Sequence, residues 1–335
     1  MGEFRKQHYV PQTYLRRFTA DRENLYVFDK LHQDPSRRIR RSSVRHIAHE
    51  NDFYDIATEV LEPAARPGHN EKMIEKVLGP IDAQLGSEVE HLVTTVGKAP
   101  IDPNRRVVLA RALGIQALRT RDIRDTIVEV YQQGREVLSR DLIERNWPGK
   151  GDFAPEEQIK PEYIPVHHAI FMLESGIKTV GKAFFNDTWV VGVNKTQQPL
   201  YTSDQPVVRL AHIDEPGLSN EGFVSPGIEV AFPLDSNHLL IMRDREAPGG
   251  ERTNDGSVEE MDDARVEFYN RMQVEQSRRQ VYCREDAFTL ASQMCAANPD
   301  LTAPTGRKVT IEVVPTDDPL RSLMIANVRA TRKKK

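Results

Sequence analysis

The hydrophobic periodicity of the chain changes near Asn186, and this change constrains the fold more than any other feature. Between residues 70 and 185, apolar residues recur at helical spacing, as in amphipathic helices. After Asn186, short apolar runs alternate with turn residues, and the pattern predicts hairpins at 188–204 and 227–242. Because helices and strands are segregated along the chain rather than alternating, the sequence predicts the α+β class.

Strand character also precedes the helical region. Residues 25–29 (LYVFD) and 52–56 (DFYDI) alternate between apolar and polar side chains, which predicts two N-terminal strands. Within the helical region, Gly79 and Pro80 predict a break, since proline removes a backbone donor from a helix.

These patterns predict one α+β domain over residues 1–318. In it, a central and mostly antiparallel sheet packs against a helical insertion of about residues 70–185. Residues 319–335 end in RATRKKK and are predicted to form a flexible basic tail.

The composition narrows the class of protein. The 335 residues are 39% hydrophobic and 29% charged, and no apolar run reaches the roughly 20 residues of a membrane-spanning helix. The first residues are polar and basic from Arg5 onward, so they do not match a secretion signal. Cys283 and Cys295 are too few for a disulfide framework. We therefore predict a cytoplasmic protein that does not enter a membrane.

The charge of the chain is uneven. The net charge of −4 argues against nucleic-acid binding through bulk charge, yet residues 1–50 carry eleven Lys and Arg against six Asp and Glu. The run RRIRRSSVR predicts a surface that binds the phosphates of RNA or DNA. A solvated basic surface explains the same run equally simply. The arginines predicted to bind substrate are Arg38, Arg40, Arg41 and Arg45.

Several catalytic signatures are absent from the sequence: GxGxxG, the Walker A loop, GxSxG and HExxH. His46 and His49 lie three apart but lack a third ligand nearby in sequence, so no metal site is predicted from them. Asp204 and Glu229 follow predicted strands and form a weaker candidate pair for a divalent ion. The cofactor therefore stays open, with Mg²⁺ or Mn²⁺ as the ions to test.

Four stretches occur here in one order: HYVPQTYLRRF, LGIQALRTRDIR, LYTSDQPVV and VAFPL. Together they resemble the family called domain of unknown function 4238, from about Lys6 to about Tyr282. The resemblance implies no reaction, because the family name states none, but it does mark positions. Gln205 departs from the asparagine that is frequent in the family. The marked positions are His8, Pro11, Gln12, Tyr14, Arg16, Arg119, Asp204 and Pro206, with Asn270 in a later helix.

A histidine, two arginines and a carboxylate suit phosphodiester cleavage if the three motifs meet in space. His8 would act as general acid or base, and Arg16 and Arg119 would neutralise phosphate charge. Asp204 would orient His8 or bind a metal ion, and Gln12 would position a ligand or a water molecule. With Asn270 added to the substrate-binding arginines, the sequence predicts a nuclease or related phosphodiesterase. Families with this profile suggest a bacterial defence or toxin-like effector.

Two alternatives stay open. In the first, the chain is a non-enzymatic module that binds a nucleic acid, a nucleotide or a protein, and His8 and Asp204 form a structural latch. In the second, the site hydrolyses a nucleotide in a closed pocket. Whether the chain is an enzyme, forms a homo-oligomer or binds a partner protein is left open by the sequence.

Overall fold

A computed structural model describes residues 5–61, 72–150, 159–213, 221–303, 305–315 and 322–332. The α+β class predicted from the sequence is confirmed, with 50% helix and 19% strand. No helix within these ranges is both long and apolar enough to cross a membrane.

The helices of the described ranges divide into a short N-terminal pair, a central group and two late helices. They are α1 (Gln12–Leu15), α2 (Thr58–Leu61), α3 (Met73–Thr95), α4 (Pro103–Leu118), α5 (Arg121–Asn146), α6 (Ile164–Ser175), α7 (Gly181–Asn186), α8 (Asp263–Gln276) and α9 (Thr289–Ala297). A π-helical segment, Gly176–Val180, joins α6 to α7.

The strands of the described ranges are short except for the last two. They are β1 (Lys6–His8), β2 (Asn24–Asp29), β3 (Ile39–Ser43), β4 (His49–Asn51), β5 (Thr188–Asn194), β6 (Thr202–Ser203), β7 (Val208–Ala211), β8 (Ile228–Pro233), β9 (His238–Arg243), β10 (Ser257–Met261), β11 (Gln280–Cys283), β12 (Thr305–Pro315) and β13 (Ser322–Arg332).

These strands form two main sheets and two ribbons rather than one central sheet. The five-stranded sheet has the order β10-β5-β9-β8-β7, and the four-stranded sheet has the order β3-β2-β11-β6. The ribbons are β1-β4 and β12-β13. Between described strands the pairing is antiparallel except for β10 with β5, which are parallel. The N-terminal strands β2 and β3 therefore lie in a different sheet from β5, β8 and β9.

The predicted hairpin at 227–242 is confirmed, since β8 pairs with β9. The predicted hairpin at 188–204 is wrong: β5 pairs with β9 and β10, whereas β6 pairs with β11 in the other sheet. The sequence pattern identified β5 and placed a strand at 199–204, of which only β6 is observed, but it carries no information on which distant strand each one contacts. Residues 52–56 are likewise not a strand, because Asp52 has a φ of 54° and begins a turn directly after β4.

The predicted break at Gly79–Pro80 does not occur, since α3 runs through both residues. A proline inside a helix leaves one carbonyl without its partner. Apolar residues on both sides of it, Ile74, Leu78, Leu85 and Val89, are buried in the core and hold the helix across this position. The segment predicted as a basic tail contains β13, while residues 319–321 and 333–335 lie outside the described ranges.

Alternating residues of the five-stranded sheet supply two separate cores. Val191 belongs to the large core that the N-terminal segment shares with α3, α4 and α6. Its neighbour Val190 belongs to the core under α8 on the opposite face. A third core lies between α9 and the four-stranded sheet and contains both cysteines, which are buried. Successive side chains of a strand point to opposite faces of the sheet, so a sheet that is covered on both faces buries residues in two cores.

Glycines let α4 and the π-helical segment approach at backbone distance. A Cβ atom on Gly114 would lie 2.1 Å from the carbonyl oxygen of Gly176 and 2.7 Å from the nitrogen of Gly181. Both neighbouring atoms belong to the backbone, so neither can rotate away. The close contact fixes the end of α4, and with it the position of the Arg119 side chain that follows.

Gly114→Ala should therefore destabilise the protein by about 2 kcal/mol or more, because the added methyl group forces two helices apart. Gly79→Ala is the matched control, since among the described residues no atom outside the adjoining helix backbone and chain neighbours lies within 4 Å of its Cβ position. Replacement of a helical glycine by alanine there should raise stability by up to about 1 kcal/mol. Urea denaturation of both variants checks this expectation. Equal midpoints for the two variants would contradict the close packing.

Candidate active site

The N-terminal segment is fixed by its backbone and by alternate side chains. In the β1-β4 ribbon, Gln7 lies opposite Glu50 and His8 lies opposite His49. The buried Gln7 amide donates to Asp55 and accepts from the Tyr54 backbone. Because successive strand residues point to opposite sides, His8 projects away from these contacts. The backbone around His8 is thus anchored while its side chain is presented on the other side.

Helix α1 anchors the motif a second time. It begins at Gln12, directly after Pro11, which is extended and precedes the first helical residue. Tyr14 is fully buried, and its hydroxyl accepts from Thr202 and donates to the Pro233 carbonyl, both at 2.8 Å. Its ring stacks on Phe232 with 4.7 Å between centroids. Tyr14 thereby contacts β6 of one sheet and β8 of the other.

Arg119 is a buried anchor at the end of α4. Its guanidinium is paired with Asp82 and donates to the His8 carbonyl at 2.6 Å and to the Tyr54 hydroxyl at 3.3 Å. Burial by itself would lower the pKa of Arg119, but the charge of Asp82 raises it above its ordinary value. Only 2% of the residue is exposed, so these contacts occupy the donors that were predicted to bind phosphate. Arg119 positions the His8 backbone.

The Asp204 side chain anchors a distant segment of backbone, but that segment does not contain His8. Its carboxylate accepts from the backbone N–H groups of Arg278 at 2.9 Å, Arg279 at 2.8 Å and Gln280 at 2.9 Å. The residue is 4% exposed, and burial raises the pKa of its carboxyl although these three donors lower it. Within the described ranges no hydrogen bond joins Asp204 to His8. The carboxylate fixes the turn between α8 and β11.

Asn270 holds the backbone that leads into β6. Its side chain accepts from the Tyr201 N–H at 2.7 Å and donates to the Pro199 carbonyl at 3.0 Å. It is 1% exposed, so a substrate could not reach it without displacing these bonds. Pro206 serves the same region, since its carbonyl accepts from Gln273 at 3.0 Å.

His8, Gln12 and Arg16 form a connected row at the surface. The Gln12 carbonyl oxygen accepts from Arg16 at 3.3 Å, which turns the Gln12 amide nitrogen toward Nδ1 of His8 at 3.5 Å. An amide nitrogen only donates, so Nδ1 of His8 is the acceptor and the ring proton resides on Nε2. Nε2 is buried and has no hydrogen-bonding partner among the described residues.

Two further histidines and a lysine lie beside this row. The His8 and His49 rings are 5.2 Å apart, and Nζ of Lys6 lies 2.9 Å from Nδ1 of His46. Burial, then the nearby His49, lowers the pKa of His8 to about 4. Burial, then Lys6 and His46, lowers the pKa of His49. The His8 ring is therefore neutral at neutral pH. We call His8, His46, His49, Lys6, Gln12 and Arg16 the histidine group.

The predicted substrate-binding arginines lie along one edge of the four-stranded sheet. Arg40 and Arg41 lie on β3 and are exposed, and Arg41 pairs with Asp21. Arg38 is half-buried before the strand. Arg45 is exposed in the 3₁₀ turn that follows, and this turn contacts α1. The basic edge thus leads toward the histidine group.

Sequence reasoning missed His49 and Lys6 as partners of His8. It weighed His49 only as a metal ligand with His46, and it gave Lys6 no role. The β1-β4 register that places His49 opposite His8 joins residues about forty positions apart. Among the described residues, no group of three or more His, Cys, Asp or Glu side chains could hold a metal ion.

Asp204 and Glu229 do not form the acidic pair considered from the sequence. Glu229 accepts from Arg243 at 2.9 Å and from the Tyr269 hydroxyl at 3.0 Å within the five-stranded sheet. Asp204 lies beside β6 in the other sheet, with its oxygens bound to backbone donors.

The model of the family "Protein of unknown function (DUF4238)" matches residues 6–287. The chain belongs to this family. The match spans the N-terminal segment, both main sheets and α8, and therefore every residue of the histidine group. No curated protein and no solved structure matches the chain.

Asp204→Asn should destabilise the protein by about 2 kcal/mol, because one amide N–H₂ would face a backbone donor in place of a carboxylate oxygen. The exposed Asp286 provides the control, and Asp286→Asn should change stability by less than about 0.5 kcal/mol. Urea denaturation at pH 7 measures both. A wild-type midpoint for Asp204→Asn would show that the turn after α8 does not depend on this carboxylate.

Stability should also depend on the protonation of His8. Because its pKa falls from 6.5 to about 4 in the folded state, His8 contributes stability above pH 6.5 that is lost as the pH falls toward 4. When the pH falls from 7 to 4.5, the free energy of unfolding of the wild type should fall by about 2 kcal/mol more than that of His8→Asn. Urea titrations at the two pH values measure the difference. Parallel losses in both proteins would contradict a buried neutral His8.

Proposed function

We propose that the chain is a phosphodiesterase that cleaves nucleic acid at the histidine group, with His8 as the general base. One observation carries the proposal: the acceptor Nδ1 of His8 is held toward Gln12 in a ring that stays neutral at neutral pH. A general base must be unprotonated and within hydrogen-bonding reach of the proton it removes. A substrate hydroxyl that replaces the Gln12 amide would meet both conditions.

Cations beside His8 suit a phosphodiester. Arg16 is exposed and contacts Gln12 through one bond, so its guanidinium can also pair with a phosphate. Lys6 lies on the same side of β1 as His8, because the two residues are two apart in the strand. In this proposal the positive charges of Arg16 and Lys6 replace the phosphate-neutralising role that the sequence assigned to Arg16 and Arg119.

The basic edge favours a polynucleotide as the substrate. A five-residue strand such as β3 is roughly 17 Å long, so the exposed Arg40 on β3 and Arg45 in the turn after it can contact different phosphates of one strand. Each phosphate contact made by lysine or arginine steepens the dependence of affinity on salt. Binding should therefore weaken strongly as the salt concentration rises.

A specific observation favours a second function, binding without cleavage. The side chains of Asp204, Arg119 and Asn270 all make buried structural contacts. Of the residues predicted to act on a substrate, those that lie in the histidine group are still available for chemistry. A protein that binds nucleic acid without cleaving it would need only Arg16 and the basic edge of the four-stranded sheet. The cytoplasmic location and the role as a bacterial defence effector stay predictions.

Incubation of the full chain with end-labelled RNA and single-stranded DNA tests the proposal. Each substrate is used with Mg²⁺, with Mn²⁺ and with a chelator. His8→Asn should lower the cleavage rate by about 10²–10⁴-fold, the range typical for loss of a general base. At pH 7 it should retain the fold, since the backbone carbonyl that Arg119 holds is unchanged.

His91→Asn is the matched control, because His91 lies on α3 outside the histidine group. It should cleave at the wild-type rate. Wild-type protein that binds the labelled strands in a salt-dependent way but leaves them intact would favour the binding module. Cleavage that survives in His8→Asn would remove His8 from the site.

A further inference from the structure

His49 faces His8 across the β1-β4 ribbon, with 5.2 Å between the ring centroids. Nδ1 of His49 is buried and has no partner in the described part of the chain. The half-buried ring can therefore meet a substrate only through Nε2. Buried polar atoms without partners are rare, and a catalytic role is one of the established reasons for them. The phosphodiesterase proposed above requires only His8, so His49 is still unexplained.

We infer that His49 is the second acid–base group of the site and that the substrate is RNA, cleaved by its own 2′-hydroxyl group. This inference rests on the proposed phosphodiesterase and specifies its substrate. Rings with 5.2 Å between their centroids are in contact, so both imidazoles can reach one phosphodiester that binds across their edges. A single imidazole could serve only one of the two oxygens that exchange protons.

The reaction needs no group beyond those of the protein and the RNA. Nδ1 of His8 removes the proton of a 2′-hydroxyl, whose oxygen attacks the adjacent phosphorus. The bond from phosphorus to the 5′-oxygen breaks, and protonated Nε2 of His49 donates its proton to that leaving oxygen. The products are a 2′,3′-cyclic phosphate and a free 5′-hydroxyl. His8 ends with one proton more and His49 with one fewer, so exchange with water restores both.

The attacking and leaving oxygens of a phosphoryl transfer lie roughly in line on opposite sides of phosphorus. This geometry requires the base and the acid to be different groups, and His8 and His49 are two such groups. Lys6 lies near both rings, and Arg16 bonds to the Gln12 side chain that contacts His8, so both cations would stabilise the charge on the non-bridging oxygens. The phosphate itself favours the protonated form of His49, because an adjacent negative charge stabilises imidazolium.

DNA lacks the nucleophile that this site uses. Cleavage of DNA would require an activated water, and Asp204, the carboxylate predicted to assist His8, is bound to three backbone donors. The 2′-hydroxyl removes the need for such a group, since the substrate itself brings the nucleophile next to phosphorus. The chemistry of the histidine group thus selects ribose over deoxyribose without any contact to the base.

The first test uses wild-type protein, so it does not depend on how a variant folds. Three oligonucleotides of one sequence are compared: all RNA, all DNA, and DNA with a single ribonucleotide. We expect cleavage of the RNA, no cleavage of the DNA, and one cut directly after the ribonucleotide. Mass spectrometry should find the 3′ end as a cyclic phosphate, one water lighter than a linear phosphate.

The second test separates the acid from the base. A uridine 3′-(4-nitrophenyl phosphate) releases nitrophenolate, which needs no proton to depart. His49→Ala should therefore slow RNA cleavage by about 10²–10⁴-fold but slow release of nitrophenolate by less than about tenfold. His8→Ala should slow both reactions. A merely structural role for His49 would affect the two substrates equally.

The outcomes distinguish this inference from the proposed function. Cleavage of RNA and DNA alike would overturn the inference and leave the phosphodiesterase intact. An equal loss on both uridine and RNA substrates in His49→Ala would remove His49 as the acid. Absence of cleavage of every oligonucleotide would overturn both proposals.

Discussion

The hydroxyl group of Tyr14 is the contact on which the arrangement of the two sheets depends. It accepts a hydrogen bond from Thr202 on the four-stranded sheet and donates one to Pro233 on the five-stranded sheet, in a site without solvent exposure. A buried hydroxyl without partners would cost roughly 1–3 kcal/mol, so this position specifies both neighbours. The ring adds stacking on Phe232. The N-terminal segment therefore holds the sheets together instead of extending from them.

Two buried charged side chains complete this arrangement, and both act on the backbone. Arg119 donates to the carbonyl of His8, and Asp204 accepts from three N–H groups of the turn before β11. Hydrogen bonds of this kind, in which one partner is charged, are stronger than those between neutral groups. Burial of a charged side chain destabilises the folded state unless its polar atoms have hydrogen-bonding partners. Their role explains why the motifs contain charged residues that do not reach the surface.

These contacts fix the backbone of the N-terminal segment, while some of its side chains point to the surface and could contact a substrate. Gln7 and Tyr14 are directed inward, while His8, Gln12 and Arg16 form a row at the surface. Burial lowers the pKa of His8 to about 4, so its ring is unprotonated at neutral pH. A base that is unprotonated and held by a rigid support has the properties that proton transfer requires. Fold stability and the candidate chemistry thus rest on the same residues of the chain.

The sequence by itself determined the α+β class, the helical region of about residues 70–185 and the β8-β9 hairpin. These follow from local periodicity. It also identified His8, Gln12 and Arg16, which lie close together along the chain. It could not determine that β5 and β6 belong to different sheets, because strand pairing joins distant segments. Only the tertiary structure decided that Arg119 and Asp204 bind backbone groups and that His49 faces His8, since burial and register depend on contacts across the whole chain.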